Sequence, residues 1–159
     1  MQGAEKRSSN IKDPDYEVLV RQLWQTFAID FLFEEASGLG PTFAEKFALR
    51  EMGPNRYKDI DPSAQYRRKL GITETSKDYR IGSANLDTGH WGYGREELID
   101  AQEQRESLWL PFIRKQEFGR ALLICGHAHL LSFAFRLKGE NFDVRAYSYM
   151  PYKLLALPS

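Results

Sequence analysis

The sequence predicts an α/β fold: a single three-layer domain with a mainly parallel sheet of about four strands flanked by helices. Short apolar runs of strand character, at 29–35, 121–125 and 142–149, alternate with longer stretches whose apolar residues recur at helical spacing. Glycine-containing turns link them. A chain of 159 residues is the size of one domain with a proper core, here spanning 14–159, with a polar, loose tail at 1–13 and an irregular loop at about 71–94.

Taken in order, Asp13-Pro14 opens a helix, the acid as cap and the proline in the first turn. Tyr16, Leu19, Val20, Leu23, Trp24 and Phe27 then follow a helical period to about Ala28. Ile29–Glu35 reads as a strand ending in adjacent acids, Glu34 and Glu35. Neighbouring strand residues face opposite sides, so only one of the two is expected to enter a shared cleft. The glycine-rich turn 36–42 leads into a helix from Thr42 to about Met52, and its spacing fits neither a Walker nor a dinucleotide fingerprint. Arg56–Ile60 reads as an edge or second parallel strand, with Asp59 and Asp61 at its end, and Pro62–Leu70 as a short helix. The basic triplet Arg67, Arg68 and Lys69 reads as a solvated face.

The stretch 71–94 is turn-rich, a pattern typical of a lid or binding loop, and would bring His90, Trp91 and Tyr93 toward a ligand or an oligomer contact. Glu96–Glu117 is the longest expected helix. At about 100° per residue, Leu98, Ala101, Trp109 and Phe112 share a face with Arg105 near its middle and Glu106 at its margin. A charge centred on an apolar stripe needs a partner, so Arg105 should meet a bound anion or one of Glu34, Glu35, Asp59 and Asp61. The run Ala121–Cys125 reads as a buried strand that breaks at Gly126 into a helix ending near Gly139. Phe142–Tyr149 would complete a βαβ unit parallel to it, and Lys153–Pro158 a short tail.

Lys plus Arg and Asp plus Glu both number 22, so no net field attracts nucleic acid or an anionic membrane, and self-association into a homo-oligomer meets little repulsion. The single cysteine, Cys125, excludes an internal disulfide and a cysteine-rich zinc site. The polar start and the lack of a membrane-length apolar run point to a cytoplasmic protein whose partner is a small-molecule ligand, with neither nucleic acid nor membrane expected.

Ligands of open α/β sheets bind beyond the carboxyl ends of the strands, where His127 and His129 flank the Gly126 break. The candidate catalytic set is therefore His127, His129, Glu34, Glu35, Arg105 and Glu106, with His90, Trp91, Cys125 and Asp61 as substrate contacts. Neutral histidine serves as a general base or as a ligand for a divalent metal, for which His127 and His129 plus a strand-end carboxylate are the candidate set. Cys125 reads more readily as a buried cysteine than as a nucleophile, and Ser132 lacks the G-x-S-x-G setting of a nucleophile elbow.

The run Leu122–Leu130, in which Gly126 and His129 form G-x-x-H, resembles the late strand-to-helix motif of the erythromycin esterase, ChaN and TraB/Tiki-like group. Phe33-Glu-Glu-Ala36 resembles that group's acidic strand end. The resemblance implies an α/β domain with a cleft of glutamates and histidines, hydrolytic or metal- and haem-related chemistry as in some relatives, and site roles for Glu34 or Glu35 and for His129. The group's earlier G-E-x-H-like motif has no counterpart here. Two functions follow as expectations: a small, metal-assisted hydrolase, or a non-catalytic module that binds a small anion or a peptide.

Overall fold

The computed structural model describes residues 14–72, 84–85, 90–91, 95–150 and 153–156. Helix α1 (Pro14–Phe27), with Asp15 and Glu17 favouring its N-terminal dipole, leads into strand β1 (Phe31–Glu34). Helix α2 (Phe43–Glu51) starts at Thr42, whose hydroxyl accepts the Glu45 amide at 3.1 Å. Strand β2 (Tyr57–Asp59) and helix α3 (Ala64–Lys69) follow, then the two-residue strands β3 (Ala84–Asn85) and β4 (His90–Trp91), which pair antiparallel. Helix α4 (Arg95–Arg114), strand β5 (Ala121–Ile124) and helix α5 (His127–Gly139) complete the central unit.

The main sheet has three parallel strands in the order β2-β1-β5, flanked by helices, so the expected α/β class holds. β1 lies in the middle and is buried throughout, which accounts for its uninterrupted Phe-Leu-Phe composition. Its alternation divides the core. Phe31 and Phe33 pack with Trp109, Ile113 and Phe133 beneath α4 and α5, and Leu32 packs with Tyr16, Val20 and Phe47 beneath α1 and α2.

One expected strand pairs elsewhere. Phe142–Tyr149 does not extend the parallel sheet: strand β6 (Tyr147–Met150) pairs antiparallel with strand β7 (Lys153–Ala156). Two residues separate β6 from β7, and a local hairpin costs far less loop-closure entropy than a crossover. A second correction concerns Arg67, which is 2% exposed rather than solvated, because its guanidinium bonds to Asp61 and to the Pro62 carbonyl. Arg68 and Lys69 are exposed, as expected. Among the described residues no helix is long and apolar enough to cross a membrane.

Candidate active site

Parallel register brings the carboxyl ends of all three main strands to one margin of the sheet. Glu35 leaves β1 there, Asp61 follows β2, and Gly126 joins β5 to α5. β1 alternation sends the two adjacent glutamates apart. Glu34 faces α2 with Leu32, and its Oε2 accepts the Thr42 hydroxyl at 2.5 Å and the Tyr57 hydroxyl at 2.7 Å. Burial raises the Glu34 carboxyl despite these two donors, and burial together with Glu34 raises the Tyr57 phenol.

Glu35 faces α4 and α5. Its Oε1 accepts Arg105 Nη2 at 2.7 Å and its Oε2 accepts the Gly126 amide at 2.6 Å. That amide sits at the N-terminus of α5, whose cap residue has no side chain to satisfy it, so a carboxylate is the natural partner. Arg105 also bonds to Asp61, with Nη2 to Oδ2 at 2.8 Å. Helical periodicity therefore located a buried cation correctly, and two of the four acids named for it hold it.

Asp61 is the most heavily bonded group of the site. Besides Arg105 it accepts Trp109 Nε1 at 2.9 Å, the Ser37 hydroxyl and Arg67 Nη1. Burial would raise its carboxyl, but Arg105, Ser37 and Trp109 outweigh that and hold it below the ordinary aspartate range. Asp59 is apart from this site, accepting the amides of Ala36, Gly38 and Asp61 and so closing the glycine-rich turn.

The histidine belongs to a second, adjoining cluster. His129 Nδ1 lies 2.9 Å from Glu106 Oε1, which also accepts the Ser132 hydroxyl at 2.5 Å. A carboxylate beside Nδ1 favours the tautomer in which Nδ1–H donates to it and the lone pair stays on Nε2. Nε2 faces Glu35 Oε1 at 3.7 Å, and the Trp109 ring packs edge-on against the imidazole with centroids 4.7 Å apart. Burial, the largest influence, pushes the Glu35 carboxyl above its ordinary range against the pull of His129, Arg105 and the Gly126 amide. Two carboxylates thus bracket one imidazole, one orienting it and the other biased toward holding a proton.

Glu35, Asp61, Arg105, Glu106 and His129 are therefore brought together, and Glu34 is not. Cys125 is not part of the cluster either; burial, Glu35 and Glu106 raise its thiol, which suppresses the thiolate needed for nucleophilic attack. His127 is the first residue of α5, and the side chains of His127, His90 and Trp91 lie outside the described residues. Sequence reasoning missed Arg67 and the Trp109 and Ser37 donors. Only the Asp61 to Arg67 spacing, a strand-end acid before a short helix, hinted at the first.

The described side chains of the site do not suit a divalent metal. The side chain of His127, the other half of the expected metal pair, lies outside the described residues. The best-placed carboxylates, Glu35 and Asp61, already hold the Arg105 guanidinium, whose fixed charge opposes a neighbouring dication. Among the described residues no group of three or more His, Cys, Asp or Glu side chains is arranged to hold a metal ion. No family model, curated protein or solved structure matches the chain.

Proposed function

We propose that this protein is a hydrolase of small esters or phosphoesters, using His129 as general base. The supporting observation is the Glu106–His129–Glu35 arrangement, in which Nδ1 is held at 2.9 Å by Glu106 while Nε2 faces Glu35 at 3.7 Å. A carboxylate on one ring nitrogen fixes the tautomer and stabilises the imidazolium formed when the other nitrogen takes a proton. Water would attack the carbonyl or phosphoryl centre and give its proton to Nε2. The bond to the leaving oxygen would then break, with that oxygen taking the proton of Glu35. Transfer of the Nε2 proton to Glu35 restores the starting state. Arg105, bonded to Glu35, keeps that carboxyl in place and offsets negative charge developing beside it.

The expected assay is hydrolysis of p-nitrophenyl acetate and p-nitrophenyl phosphate by the full chain, with and without added chelator. His129→Gln and Glu35→Gln should each lower turnover by about 10²–10⁴-fold, the range of an oriented acid–base group, in protein that circular dichroism shows to be folded. Wild-type inactivity toward ester and phosphoester panels, or variants as active as wild type, would rule out the hydrolase.

One observation favours a second reading, the structural ion-pair network: His129, Glu106, Glu35 and Arg105 are each at most 8% exposed and pair with one another or with Asp61. In that case the wild type is inactive toward every ester and phosphoester, and Arg105→Ala lowers the melting temperature by the same amount with and without inorganic phosphate.

A further inference from the structure

Where α4 packs against α5, two polar stripes meet. Glu106 and Ser107 of α4 face His129, Ser132 and Arg136 of α5, and the three α5 residues follow the i, i+3, i+7 spacing of one helix face. Ser132 Oγ donates to Glu106 Oε1 at 2.5 Å, the same oxygen that lies 2.9 Å from His129 Nδ1. The hydroxyl has one proton, and its other acceptor, the His129 carbonyl, is more distant at 3.3 Å. Arg136 faces the second carboxylate oxygen, Nε to Oε2 at 3.8 Å. Its Nη1 donates to Ser107 Oγ at 2.7 Å, and the Ser107 hydroxyl donates to the Glu103 carbonyl at 2.8 Å.

These bonds bear on a choice that the imidazole has to make. A neutral histidine carries its proton on one nitrogen or the other, and here a carboxylate stands on each side. Glu106 at 2.9 Å from Nδ1 favours Nδ1–H, whereas Glu35 at 3.7 Å from Nε2 favours the opposite tautomer once Glu106 draws back. A carboxylate oxygen has two lone-pair sites. On Oε1 one meets His129, and among the described residues Ser132 supplies the only other hydrogen bond to it. Glu106 is 1% exposed, so solvent does not readily replace a lost donor. Without the hydroxyl, the carboxylate can turn toward the Arg136 guanidinium on its other side.

We propose that Ser132 is a positioning residue that fixes the tautomer of His129, holding Glu106 Oε1 on Nδ1 against the competing pull of Glu35 on Nε2 and of Arg136 on Oε2. Its kinetic consequence rests on the hydrolase reading, in which His129 acts as base only while the lone pair is on Nε2. The tautomer itself does not depend on that reading. A serine without the setting of a nucleophile elbow thus acts through a carboxylate instead of attacking a substrate.

Threonine and valine are both β-branched and close in shape, so Ser132→Thr and Ser132→Val differ chiefly in the hydroxyl. Ser132 is exposed, which leaves room for the added methyl groups. NMR of the full chain with nitrogen-labelled histidine, at mildly alkaline pH, tells the tautomers apart by the shifts of the protonated and bare ring nitrogens. His129→Gln assigns the signal. Wild type and Ser132→Thr should hold the Nδ1–H form, and Ser132→Val should move toward Nε2–H. With p-nitrophenyl acetate or p-nitrophenyl phosphate, Ser132→Val should lose about ten- to a hundredfold in kcat with KM little changed, the worth of one hydrogen bond to a charged acceptor, and Ser132→Thr should recover most of it. Ser132→Ala repeats the test with a stronger helix former, so that a folding defect of the valine variant does not decide it. The same tautomer with and without the hydroxyl overturns the proposal, as does an Nε2–H wild type or an equal kcat for the threonine and valine variants. A tautomer shift in a protein that hydrolyses neither ester supports the role of Ser132 and defeats the hydrolase.

Discussion

Arg105→Ala would leave two buried carboxylates short of a cation, and the consequences can be worked through separately for each. Asp61 keeps Arg67, Ser37 and Trp109, so its ionised form remains supported. Glu35 keeps only the Gly126 amide and the more distant His129, and burial already raises its carboxyl. Removing one partner of a buried pair costs about 3–5 kcal/mol. Because Asp61 is rescued and Glu35 can take up a proton, the lower end, about 3 kcal/mol, is expected at neutral pH. For a chain of this size that is a fall of roughly 6–12 °C in melting temperature. Glu35 without Arg105 binds its proton more tightly still, so the penalty should shrink as pH falls, by at most about 1.4 kcal/mol per unit. Urea unfolding of wild type and variant between neutral and mildly acidic pH measures both. Arg114→Ala provides the comparison, since the Arg114–Glu140 pair is exposed and worth less than about 1 kcal/mol. If the two variants lose equal stability, the buried network does not carry the load assigned to it.

Other perturbations separate structure from chemistry. Trp109→Phe removes the Nε1 donor to Asp61 while keeping an aromatic ring against His129, and should cost about 1.5–3 kcal/mol in urea unfolding because the acceptor is charged. A Cβ at position 126 would lie 3.2 Å from Glu35 Oε2, so Gly126→Ala should displace that carboxyl and reduce any hydrolytic turnover at least tenfold (about 1.4 kcal/mol) while altering stability by less than about 1 kcal/mol. Glu34→Gln tests the raised carboxyl on the opposite face. A group whose folded-state pKa is raised contributes stability below its unfolded pKa and loses it as pH climbs through the folded value. The amide mimics the protonated form and its oxygen can still accept from Thr42 and Tyr57, so the variant's stability relative to wild type should increase with pH above the ordinary glutamate range. Asp61, held low, has the opposite sign, and its contribution is lost as pH falls below the ordinary aspartate range. A flat pH dependence of the Glu34→Gln difference would mean that the carboxyl is not raised.

What the sequence revealed and what it concealed differ by the range of the interaction. Periodicity located the helices because an apolar stripe is a local property of one element. The same counting marked Arg105 as misplaced on its stripe, and a misplaced charge demands a partner whatever the fold. Period-two alternation likewise required Glu34 and Glu35 to part, and the fold sends them to different faces of β1. Pairing between elements was less legible. The segment 142–149 has a strand's alternation, but alternation does not name the neighbouring strand, and the nearby 153–156 supplied a cheaper one. Arg67 lies in a basic triplet on a short helix, where each side chain has the same prior claim to water. It is buried because Asp61, two residues beyond the preceding strand, lies within its reach, a fact of tertiary placement with almost no local trace. Asp61 shows the same limit from the other side. Its acidity was evident at a strand end, but two guanidiniums, a hydroxyl and an indole meet there only after β2, α3 and α4 have packed. A buried charge can therefore be inferred from one element, whereas its counter-charge is inferred only from the packing of several. The candidate site was legible as separate demands for partners, and the fold decided which demands met which.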